Sequence, residues 1–153
     1  MSSPGERLKS LGLRLPPPPR PAGAYVPVVR AGTLAWVSGQ IAFEAGAVVR
    51  PGLVDRDVPL EVAQGLARQA SLQALSALEA ELGSLDRIQR VVRVGVFVAS
   101  SPGFQRQHEV ANGATEVLIE LFGAAGRPSR SAVGVAGLPL NAPVEVEVLV
   151  ETG

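Results

Sequence analysis

The chain contains no cysteine, which excludes disulfides, thiolate metal sites and cysteine nucleophiles, and with them a disulfide-stapled secreted scaffold. Lysine occurs once, at Lys9, histidine once, at His108, and 14 basic side chains are balanced by 14 acidic ones. No broad positive field exists to gather nucleic acid or an acidic membrane surface, so nucleic acid is disfavoured as a partner. Four phenylalanines, one tryptophan and one tyrosine leave little from which to build stacking platforms for bases. No run approaches the roughly 18 apolar residues of a membrane span, and the opening residues lack the continuous apolar core of a signal peptide. The expectation is a cytoplasmic protein with no membrane partner.

What is present is a chain of 153 residues, 46% of them hydrophobic, a size suited to one domain with one core. Residues 1–22 form a Pro-rich arm and residues 23–153 the domain proper. In the arm, Leu8, Leu11 and Leu15 at helical spacing predict a short helix over Glu6 to Leu15, ended by the extended run Pro16 to Pro19. This segment is either a docking arm or a disordered leader.

Tyr25 to Arg30 and Thr33 to Ser38 flank Ala31-Gly32 and predict a hairpin, followed by a short third strand at Val48 and Val49. Val62, Leu66, Ala70, Ala74, Leu78 and Leu82 recur every four residues. They predict a helix from Pro59 to Leu82, stopped by Gly83, with Gln64, Arg68, Gln69, Gln73 and Glu81 mainly off its apolar stripe. Val91 to Val98 is almost continuously apolar and reads as a central strand covered on both faces. A second helix is expected from Ser101-Pro102 to about Phe122, then strands at Ser131 to Ala136 and Pro143 to Glu151. The order is βββαβαββ, an α/β (α+β) fold with two helices packed on one face of a mixed sheet.

In the last strand, Val144, Val146, Val148 and Val150 share one face while Glu145, Glu147 and Leu149 share the other. If the valines meet the helices, the glutamates point to a partner subunit or a cleft, and closed oligomeric symmetry would cover that face. Arg130, Ala132 and Gly134 share a face at the entrance to the preceding strand. An arginine with small neighbours has room to hold a planar carboxylate by two parallel hydrogen bonds; the competing reading is a surface arginine paired with Glu145 or Glu147. His108 has no second ligand at metal-like spacing and is read as a packing residue. No metal and no cofactor are implied.

Four segments carry a resemblance to a known family: Ala24-Tyr25-Val26, Val37-Ser38-Gly39-Gln40-Ile41, Arg127-Pro128-Ser129-Arg130-Ser131, and Leu138-Pro139 followed by Val144-Glu145-Val146-Glu147. Together they resemble the RidA/YjgF/YER057c/UK114 family, which also bears the labels endoribonuclease L-PSP and reactive-intermediate deaminase. The resemblance implies a chorismate-mutase-like fold and a homotrimer with its sheets facing inward and small-molecule clefts between subunits. It also implies roles: Arg130 binds substrate carboxylate, Tyr25 lines the cleft, Ser38 and Gly39 contact ligand, and Glu145 is associated with a bound water. Ala132, which stands where deaminase members often carry cysteine, is implied as a substrate contact through its backbone. Asn112 corresponds to an asparagine of the family's second helix, but Gly113 to Val117 depart from the deaminase pattern, which marks a divergent branch. The implied activity is hydrolysis of 2-iminobutanoate or 2-iminopropanoate to 2-oxo acids and ammonia, with Arg130 and Glu145 as the catalytic pair. Its competitors are a non-catalytic trimer that binds 2-oxo acids and, third, RNA cleavage, against which the neutral charge argues.

Overall fold

The computed structural model describes residues 1–153. Its elements, in chain order, are α1 (Pro4–Ser10), β1 (Val28–Ala31), β2 (Leu34–Ile41), β3 (Phe43–Glu44), β4 (Ala47–Val48), α2 (Leu60–Leu82), β5 (Ile88–Ala99), α3 (Gln107–Phe122), β6 (Ser129–Val135) and β7 (Val144–Thr152). Five strands form one sheet in the order β1-β2-β7-β5-β6, antiparallel except for the parallel pair β5 and β6. That parallel pair is joined through α3, the crossover that parallel neighbours need. The expected mixed sheet with two helices on one face is therefore present. The third strand is not part of it, because β3 and β4 close into a separate two-stranded ribbon.

The core lies between the helices and one face of the sheet. Val144, Val146, Val148 and Val150 of β7 are all buried, as are Val91, Val94, Val96 and Val98 of β5, and they meet Leu66, Leu75, Leu78, Val117 and Leu118 from the helices. The alanines of α2 let the two helices come close. Gly113 marks the tightest approach, since a side-chain carbon there would collide with the backbone carbonyl of Gln64. No helix is long and apolar enough to cross a membrane.

Several boundaries differ from the sequence expectation for local reasons. The first hairpin turns on Gly32-Thr33 rather than Ala31-Gly32, because Ala31 pairs directly with Leu34, and Gly32 takes the left-handed conformation (φ 59°) that a two-residue turn needs. Helix α3 begins at Gln107, not Ser101: Pro102-Gly103 forms a turn with Gly103 at φ 86°. The first helix starts earlier and is shorter than expected. Ser3 and Glu6 form a reciprocal capping box and Pro4 occupies the first turn, while Gly12 at φ 67° follows its end.

The opposite face of the sheet has no layer over it in this chain. Trp36 is 50% exposed and Val29 55%, with Leu34 exposed on the same strand as Trp36 and Val133 exposed on the other edge of the same face. Strand β5 is central, as expected, but only one of its faces is covered; Arg93 and Phe97 lie half-buried on the other. The near-continuous apolar run thus reflects a strand whose second face also carries apolar groups without being enclosed by this chain.

Candidate functional site

Glutamates 145 and 147 project from β7 onto the open face, and each lies over a glycine of a neighbouring strand. Glu147 sits opposite Gly95 of β5, where a side-chain carbon on the glycine would fall 2.8 Å from its carboxylate oxygen. Glu145 lies over Gly39, in the interruption of register between Val37 and Gln40 where β2 bulges. A side chain at Gly39 would occupy the position of the Glu145 carboxylate itself. Serine 38 helps hold this bulge: its hydroxyl donates to the Val26 carbonyl (2.7 Å) and its backbone N–H to the Pro27 carbonyl (2.9 Å).

Burial raises the Glu145 carboxyl above the usual carboxylate range, and the nearby Glu147 charge adds to the rise. A carboxyl in that condition holds its proton more readily than an ordinary glutamate and is suited to take and return one. It opens into a cavity of about 790 Å³ lined also by Tyr25, Gly39, Gln73, Phe43 and the prolyl segment Pro16–Pro19. The Tyr25 hydroxyl accepts from the Ala22 backbone N–H (3.3 Å), while its ring remains half exposed to the cavity side. Three sequence-selected residues, Tyr25, Gly39 and Glu145, are therefore brought together, and Ser38 supports them from behind.

Arg130 is not among them. Strand pairing places Arg130 opposite Val94, and Val94 opposite the buried Val148, so Arg130 lies on the helix-facing side of the sheet and Glu145 on the other. The guanidinium is held by α3: Nη1 donates to Asn112 Oδ1 (2.8 Å) and Thr115 Oγ1 (3.1 Å), and Nη2 to the His108 carbonyl (3.2 Å). Residues 108, 112 and 115 share one helical face. Three of the five N–H donors of a guanidinium are thereby occupied and two remain, the number a carboxylate can accept. An ion pair with Glu145 or Glu147 of the same chain is overturned, because no carboxylate of the chain lies within salt-bridge distance of Arg130 and these glutamates are on the far face.

The small neighbours of Arg130 do not leave the open space expected beside it. Ala132 is half-buried against the core, and the place of a side chain at Gly134 is taken by Gln107 Nε2, 2.8 Å away. Strand β6 is instead an edge strand, so the row of backbone groups facing away from β5 is free to meet a ligand. His108 is not a packing residue: its ring is exposed, and its contribution is its carbonyl oxygen. No cluster of three or more His, Asp or Glu side chains is placed to hold a metal ion.

Sequence reasoning missed Thr115, Gln73 and Ser76. Thr115 was legible in principle, lying seven positions after His108 and three after Asn112 on the facet that meets β6. Gln73 and Ser76 are 5% and 3% exposed rather than off the buried surface of α2, because the leader covers them.

A family model described as Endoribonuclease L-PSP matches residues 17–152. Protein TCP17 of Trypanosoma cruzi is 43% identical over 145 residues, 94% of this chain and 91% of the relative. A 2-iminobutanoate/2-iminopropanoate deaminase of Dermatophagoides farinae is 32% identical over 133 residues, 86% of this chain and 88% of that protein. Among solved structures, Atu1372 of Agrobacterium tumefaciens, of unknown function, superposes with a TM-score of 0.88 at 42% identity, over 97% of this chain and 91% of the other.

Proposed function

The chain belongs to the endoribonuclease L-PSP family, also called RidA/YjgF, and on that premise we propose that it hydrolyses 2-imino acids to 2-oxo acids and ammonia. The observation that carries this reading is the half-buried Glu145 carboxyl, with its raised proton affinity, lying over Gly39 in the cavity lined by Tyr25. The deaminase among the relatives supports the choice of reaction.

An iminium carbon is already electrophilic, so positioning and proton transfer suffice without a covalent intermediate. Water adds to that carbon as Glu145 removes its proton, giving a tetrahedral carbinolamine. Glu145 returns the proton to nitrogen, the C–N bond breaks and ammonia leaves, while the hydroxyl passes its proton to the freed Glu145 carboxylate to form the 2-oxo acid; that proton then goes to the ammonia, which departs as ammonium, and the carboxylate is restored. The two free donors of Arg130 bind the substrate carboxylate, and Tyr25 orients the substrate plane.

Because Arg130 and Glu145 sit on opposite sides of one sheet, the pair can serve one substrate only if they come from two copies of the chain. We place the site at a subunit boundary in a homotrimer whose interior is the uncovered sheet face, where Trp36, Val29 and Val133 are exposed. The free edge of β6, at Ala132, supplies backbone contacts to the ligand.

The direct test is ammonia release from freshly generated 2-iminopropanoate and 2-iminobutanoate. The purified protein is expected to accelerate release in proportion to its concentration. A rate equal to that of buffer alone would remove the hydrolytic reading, and retained binding of 2-oxo acids would then favour a non-catalytic metabolite-binding trimer.

A further inference from the structure

The arm before β1 is a built wall of the Glu145 cavity. Helix α1 is capped at Ser3, Arg7 Nη1 donates to the Leu121 carbonyl (3.2 Å), and Leu8, Leu13 and Leu15 pack on the core. The prolyl run is then tied to α2, with Gln73 Nε2 donating to the Pro17 carbonyl (2.9 Å) and the Ser76 hydroxyl to the Pro16 carbonyl. Both α2 side chains are almost completely buried. Without the arm their donors would be exposed or orphaned, so the position of the run is set by polar groups that have no other partner.

We propose that this wall selects substrates, directing the cavity toward 2-imino and 2-oxo acids with a large apolar side chain, aromatic ones above all. The inference rests on the reading that the cavity handles 2-imino acids and names which of them. Four consecutive prolines, Pro16 to Pro19, line the space and have no backbone N–H. They cannot donate to a carboxylate, a carbonyl or a phosphate. What they present is ring methylene surface, which packs on apolar and aromatic groups. Ile41, Phe43 and Leu140 line the same space.

Size points the same way. The side of the cavity that this chain supplies encloses about 790 Å³, in the range of pockets for drug-sized ligands, so even after a partner subunit contributes its edge there is room for more than a three- or four-carbon imino acid. The lining holds one basic side chain, Arg20, and two acidic ones, Glu44 and Glu145, so a second negative charge on the substrate finds little compensation.

The test measures binding and turnover separately on the full chain. Calorimetry with 2-oxo-3-phenylpropanoate, pyruvate and 2-oxoglutarate probes the wall without requiring catalysis. The phenyl compound is expected to bind about tenfold or more tightly than pyruvate, the scale of discrimination that apolar pockets achieve for added side-chain surface. The same order is expected in kcat/KM for imines generated by an amino-acid oxidase from phenylalanine and alanine. Replacing the wall (Pro17→Gly with Pro18→Gly) should bring the binding ratio toward one, and Ser76→Ala, which unties the run without touching the cavity, should lower it in the same direction. Equal affinity for the phenyl compound and pyruvate, a preference for 2-oxoglutarate, or a ratio unchanged in both variants would overturn the inference. Preferred binding of the phenyl compound with no imine hydrolysis would support the wall while removing the hydrolytic reading.

Discussion

Replacing Glu145 by glutamine is expected to cost activity and gain stability. General acid and base catalysis by a positioned carboxyl contributes about 100-fold or more, so kcat for imine hydrolysis should fall by at least that factor. The acidic limb of the wild-type pH profile should lie above the range of an ordinary glutamate, because burial first and the Glu147 charge second raise the Glu145 carboxyl, and the limb should vanish in the variant. The stability effect has the opposite sign. A carboxyl whose proton affinity is higher in the folded state favours folding in acid, and that contribution is lost as pH rises through the raised value. Glu145→Gln removes the cost of ionising the group within the fold. The variant should melt at a higher temperature than wild type once pH exceeds the raised value, and at nearly the same temperature in acid below the ordinary carboxylate range, where both side chains are neutral. Thermal melts across that range check the sign. A variant less stable than wild type only at the higher pH, where the wild-type carboxyl is ionised, would instead show that Glu145 is held by partners that favour its charge.

Substitution of Arg130 by alanine removes a substrate anchor and a structural tie at once, and the two should separate by measurement. Two charge-assisted hydrogen bonds to a carboxylate are worth about 3 kcal/mol together, so kcat/KM should drop about 100-fold, with Arg130→Lys little better because an ammonium cannot reproduce the planar fork. Stability should fall by only about 1–2 kcal/mol in denaturant titration. The three acceptors on α3 are a half-buried amide, a helix carbonyl and a hydroxyl that keeps its own bond to the Ala111 carbonyl (3.4 Å). Loss of the assembly in Arg130→Ala would assign the arginine to the interface rather than to substrate.

Much of the fold was legible because burial writes itself into periodicity. The alternation Val144 to Val150 against Glu145 and Glu147 foretold which face of β7 meets the helices, and the four-residue spacing from Val62 to Leu82 foretold α2 almost to the residue. Alternation within one strand, however, says nothing about parity between strands. Arg130 and Glu145 could be assigned to faces of their own strands, but that these faces are opposite emerges only from the register that sets Arg130 beside Val94 and Val94 beside Val148. The partners of Arg130 were hidden for a similar reason. Asn112 and Thr115 meet it because a crossover helix lies across β6, a contact with no local signature. Prolines 16 to 19 announced an extended segment, but where it would lie depended on Gln73 and Ser76, polar residues that a one-faced amphipathic reading assigns to solvent or leaves unassigned.

Joint action of Arg130 of one copy and Glu145 of another on the same substrate is tested by co-assembly of two inactive chains. Arg130→Ala and Glu145→Gln subunits, each expected to be nearly inactive alone, are unfolded together, refolded as mixed oligomers and assayed for imine hydrolysis. If each site takes one residue from either side of a boundary, random assembly rebuilds intact sites and recovers about a quarter of wild-type activity at equal proportions. Activity that stays at the level of the separate variants would contradict a site shared between chains.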